Sequence, residues 1–152
     1  MKTSFLCMIV FLGVAFSCDQ RNTELTSETF QTSEQRVQQL KQQIVAPTNF
    51  RDAQFRLFNV NGFSRSVAGV PGASSYDYKF IVKIDPNDMN AWTKGLKKAS
   101  GRDMKWINEL IQNEEKGWFP TNQGEQYYSD ERNVLLVLFR KDSLLAKRVS
   151  VL

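Results

Sequence analysis

The chain has 152 residues, 41% hydrophobic and 24% charged, with 20 basic and 16 acidic side chains and a net charge of +4. It contains no histidine, which excludes a Ser-His-Asp triad, a Cys-His pair and the usual zinc or haem ligand sets. Carboxylate, lysine or tyrosine chemistry remains open to it.

The N-terminus begins with Lys2, runs apolar from Phe5 to Phe16, and closes on Ala15-Phe16-Ser17-Cys18. A positive start, a short apolar run and a small-residue site make a signal peptide over 1–17. Three rival readings are an uncleaved membrane anchor, an ordinary secretory signal and a buried core helix. The apolar run of about 12 residues falls short of the roughly 20 that span a bilayer. The Ala15–Cys18 ending resembles the lipobox of bacterial lipoproteins. That resemblance implies that Cys18 receives lipid and becomes the first mature residue. It also implies a protein anchored by lipid to a membrane of the bacterial envelope, with its domain outside the cytoplasm. Cys7 leaves with the signal, so the mature domain has neither free thiol nor disulfide and must hold together by its core.

Residues 18–31 are mostly polar, with Leu25 and Phe30 as the large apolar exceptions. They read as the lipidated N-terminus and a flexible tether. Residues 32–152 read as a single domain of ordinary size. Thr32 and Gln35 have the spacing of a capping box and open a helix over about 33–46, with Val37, Leu40 and Ile44 on one face and Pro47 ending it.

A strand is expected over Gln54–Val60, with Phe55 and Leu57 on one face, and Asn61-Gly62 turns the chain. The small-residue loop from 63 to 75 lacks a phosphate-loop pattern and reads as a connector or a binding loop. Tyr78, Phe80, Val82 and Ile84 alternate with Asp77, Lys79, Ile81 and Lys83, a strand with one apolar and one mostly polar face. Asp85 and Pro86 open a second helix with Met89, Trp92 and Leu96 inside, and Lys94, Lys97 and Lys98 in its last turns before Gly101. Asp103 caps a third helix, with Ile107, Leu110 and Ile111 inside and Gly117 at its end. Strands follow over 126–129, over the wholly apolar 134–139, and over 144–151. The expected fold is α+β, an antiparallel sheet of about five strands with helices packed on one face.

The basic residues lie scattered among acids, with such adjacent pairs as Lys97-Lys98 and Lys147-Arg148. A solvated surface is expected, and no nucleic-acid footprint. The acid pairs Glu114-Glu115 and Asp130-Glu131 could serve a carboxylate-dependent hydrolase, but adjacent surface acids rarely span a cleft. Aromatics are the stronger clue. Trp118-Phe119-Pro120 is either a hydrophobic plug under the crossover or an interface anchor. With Tyr76, and with Arg65 of the 61–75 loop, it makes the candidate binding site. The expected function is capture of another protein, as an inhibitor, an immunity-type protein or an accessory subunit. Binding of envelope glycan or a small ligand through the aromatics is the alternative. No cofactor or metal is expected, and composition does not set an oligomeric state.

Overall fold

The computed structural model describes residues 22–63, 75–112, 114 and 117–151. In chain order its elements are β1 (Glu24–Thr26), α1 (Ser33–Gln43), β2 (Asp52–Asn59), β3 (Tyr76–Lys83), a 3-10 helix (Pro86–Thr93), β4 (Lys97–Ala99), α2 (Lys105–Ile111), β5 (Glu125–Ser129), β6 (Val134–Phe139) and β7 (Leu144–Val151). The strands form one antiparallel sheet of seven, ordered β1-β2-β3-β7-β6-β5-β4. The signal peptide and Cys18 lie outside the described residues. Among the described residues no helix is long and apolar enough to cross a membrane.

Local chemistry explains where the elements start and stop. The capping box at α1 is formed in both directions: Gln35 donates its backbone N–H to Thr32 Oγ1 at 3.3 Å, and Thr32 donates its own to Gln35 Oε1 at 3.2 Å. Ile44 is already extended, so the helix stops short of residue 46. Pro86 follows Asp85, whose carboxylate accepts from Asn87 N–H at 2.9 Å.

Three expectations are corrected. The sheet has seven strands rather than five, because two short edge strands carry no apolar alternation to reveal them. One of these is β1, in the segment expected to be a tether. Its Leu25 lies opposite Leu57, and nearby Phe30 packs 6.0 Å from Phe55. The other is β4. The 3-10 helix gives way at Gly95, whose φ of +76° is left-handed, and the Arg132 guanidinium lies 2.6 Å from where a side chain would begin. Lys97 and Lys98 therefore stand on an edge strand, not in the last turn of a helix.

The third correction concerns the helices, which pack on both faces of the sheet. On one face, Leu40 of α1 joins Phe55, Leu57, Phe80, Val82, Met89, Trp92, Leu136, Leu138 and Leu145. On the other, Trp106, Ile107 and Ile111 of α2 cover Ile81, Val137, Phe139, Leu144 and Ala146. The unbroken apolar run of β6 has this cause. Alternate residues of a strand point to opposite faces, and both faces here are covered.

Candidate functional site

The pairing of β2, β3 and β7 gathers charge that is dispersed in the chain. In register, Arg56 pairs with Lys79, Lys79 with Arg148, Arg148 with Leu135, Leu135 with Tyr128, and Tyr128 with Lys97. These side chains share the face that carries α2. They lie two residues along each strand from Ile81, Ala146 and Val137, where α2 packs. Leu135 packs against the α2-side core and Arg102 lies over Tyr128, while Arg56 stays exposed. The row crosses five strand spacings, about 24 Å.

Cations that oppose each other directly across strands destabilise a sheet, and here there are two such pairs in succession. Asp77 compensates part of this. Arg148 donates to both its oxygens, from Nε at 2.9 Å and Nη2 at 3.1 Å, and Lys79 Nζ lies 3.2 Å away. Arg102 extends the row by stacking its guanidinium 3.8 Å above the Tyr128 ring. Among the described residues, Arg56, Lys97 and Arg102 have no carboxylate within ion-pairing distance.

A notch of about 220 Å³ opens within the row, between Arg102, Tyr128, Arg148 and Ser150. Trp106 also lines it, and its buried Nε1–H is the side-chain polar atom left without a hydrogen-bond partner among the described residues. Asp103 lines the notch too, and the Arg148 fork is held by Asp77, so the arrangement offers the Arg102 guanidinium and an aromatic wall to an acidic side chain, with the charge of Arg148 beside them. Arg presents planar forks that match carboxylates.

The residues singled out from sequence do not assemble into one site. Cys18 and Arg65 lie outside the described residues. Trp118 is 4% exposed and belongs to the α2-side core, with Lys83 Nζ 4.3 Å over its ring. Its neighbour Phe119 is 47% exposed. Tyr76 stands half-buried at the start of β3, with its ring 5.2 Å from Tyr78, on the opposite face of the sheet. Trp118 and Tyr76 thus lie on different faces and towards different ends of β3. Asp130 and Glu131 are exposed in the β5–β6 turn, and Glu114 lies beyond the end of α2. Among the described residues no group of three His, Cys, Asp or Glu side chains is placed to hold a metal ion.

Sequence reasoning missed Arg56, Lys79, Arg102 and Arg148 as a group. The polar face of β3 was readable, but which strand lies beside it was not. Comparison with family models, with curated proteins and with solved structures finds no match.

Proposed function

We propose that the chain is a lipid-anchored protein of the bacterial envelope that binds another protein, as an inhibitor, an immunity-type protein or an accessory subunit. The partner presents an acidic surface to the Arg56–Lys79–Arg148 row, with an acidic side chain in the Arg102–Tyr128–Arg148 notch. The observation that carries this reading is the pair of successive like-charge contacts, Arg56 against Lys79 and Lys79 against Arg148. A sheet built for stability alone avoids such neighbours. A docking carboxylate relieves them, so part of the repulsion in the free protein becomes affinity in the complex. Arg and Tyr are also side chains that recur as interface anchors.

An anionic membrane surface is the competing occupant. Three features favour a protein: the planar fork of Arg102, the aromatic wall of the notch, and the fixed geometry that Asp77 imposes on Arg148. A lipid headgroup layer needs none of them, since it attracts cations at a distance.

The anchor and the docking face are tested separately. Labelled palmitate should enter the wild type and be absent from Cys18→Ser; equal labelling removes the anchor. A partner recovered by cross-linking and purified should bind more weakly as salt rises, and the double variant R56Q/R148Q should lose about tenfold or more in affinity. Salt-independent binding that the variant leaves unchanged removes the docking face.

A further inference from the structure

A second site lies away from the cation row. A cavity of about 440 Å³ opens near the start of β2 and the end of β3, with Ser27, Arg36, Asp52, Gln54, Lys83 and Trp118 in its lining. Its size falls within the range of small-molecule sites.

Two of its charges are spent on each other. Arg36 donates from Nε and Nη2 to the two oxygens of Asp52, at 2.9 Å each. Asp52 also accepts the Ala53 N–H at 2.8 Å. Asp52 pairs directly with Lys83 in the β2–β3 register, yet Lys83 is left without it. The Lys83 ammonium instead sits over Trp118, with no carboxylate within 4 Å among the described residues.

Gln54 adds an amide. The residue is 4% exposed and lines the cavity, and its side-chain amide makes no hydrogen bond to another described residue but is not sealed from solvent. A ligand can therefore take the place of water there. Ser27, equally buried, accepts the Phe55 N–H on its Oγ at 3.1 Å and keeps its own proton to donate. One ammonium, one amide and one hydroxyl therefore line the same cavity with donors to spare.

We propose that this cavity binds a small molecule through a carboxylate group, which pairs with Lys83 and accepts from Gln54 and Ser27. A carboxylate offers about four lone-pair positions, enough for all three donors. The lining holds three carboxylates, Glu28, Asp52 and Glu114, against the two cations Arg36 and Lys83, so it suits a single negative charge better than the double charge of a phosphate. This site does not depend on the protein-docking reading, since it shares no side chain with the cation row.

The test uses the full-length chain in detergent micelles. Calorimetric titrations are run with a panel of acetate, lactate, glycerate, glutamate and galacturonate, with the uncharged counterparts acetamide, lactamide, glycerol, glutamine and galactose, and with inorganic phosphate. At least one carboxylate should bind saturably, about tenfold or more tighter than its uncharged counterpart and than phosphate. Lys83→Met should abolish that binding, and so should Gln54→Glu, which keeps the shape of the side chain but places a second negative charge against the ligand. R56Q/R148Q should leave it unchanged. A peptide with a free C-terminus, set against its amidated form, separates a small ligand from a chain end. Tighter binding by the peptide than by any small carboxylate overturns the small-molecule assignment. No saturable binding by any of the panel below about 10 mM, equal binding by phosphate, or full binding by Gln54→Glu overturns the site.

Discussion

Lys79 stands directly across from Arg148 in the β3–β7 pairing, and both reach the same carboxylate, that of Asp77. Asp77 lies two residues before Lys79 on β3, and its own cross-strand partner is Ser150. A single acid thus holds two cations that would otherwise repel each other, and it fixes the Arg148 fork bidentately.

Asp77→Asn should therefore cost stability, by about 1 kcal/mol, because the two cations lose their shared counter-ion while staying neighbours. Urea unfolding would measure it. The loss should shrink in high salt, which screens the exposed part of the repulsion. A double variant D77N/K79Q should recover stability relative to D77N, since the like-charge contact is gone.

Lys147 offers a pH-dependent prediction on the opposite face. It lies between Phe80 and Leu136 in register, and its ammonium is 5.7 Å from the Trp92 ring. Burial holds its pKa below the ordinary 10.5, and the charge of Arg132 pushes it further the same way. Below the lowered folded value, both folded and unfolded chains carry the proton, and the folded state bears the cost of a half-buried charge. Between that value and 10.5 the unfolded chain binds more protons, so this group makes stability rise with pH. Lys147→Met should raise stability near neutral pH by about 1 kcal/mol and remove that rise. The measurement is urea unfolding from pH 7 to 10.5, wild type against variant.

Trp118 and Phe119 should now separate. Trp118 is a buried member of the α2-side core, so Trp118→Ala should cost about 3–5 kcal/mol. Phe119 is 47% exposed, and its truncation should stay within about 0.5 kcal/mol. Thermal melts of the two variants would distinguish a core plug from an exposed anchor.

The central role of β6 makes a parallel case. Leu136 and Leu138 are at most 1% exposed and pack in the α1-side core. Each should cost about 2–5 kcal/mol on truncation to Ala. A cost under about 1 kcal/mol would place this strand at an edge.

How much of this was legible in the sequence depends on how local the signal is. The capping box of α1 is written within four residues, Thr32 to Gln35, and it forms. The bounds of β6 and β7 follow from apolar runs and turns, and those hold too. The short edge strands do not announce themselves. Glu24-Leu25-Thr26 and Lys97-Lys98-Ala99 are held by main-chain bonds to a neighbour, not by their own pattern. The cation row was the least legible. Arg56, Lys79 and Arg148 come from three strands whose adjacency depends on β7 inserting between β3 and β6, and no periodicity states that order. Trp118 was left between a core plug and an interface anchor for a related reason. A Trp beside Phe119 and Pro120 in a turn can read either way, and the second core that buries it exists only because helices cover both faces.

The docking claim is tested most directly by a photo-reactive side chain at position 26, which pairs with Arg56 at the edge of the row, in intact cells making the full-length chain. A control places it at position 45, where Val45 is 93% exposed beside the α1-side core. The account predicts a discrete protein adduct from position 26 that is absent from position 45 and is lost when R56Q and R148Q are added. Adducts to lipid alone, the same adducts from both positions, or a position-26 adduct that survives the double variant would contradict it.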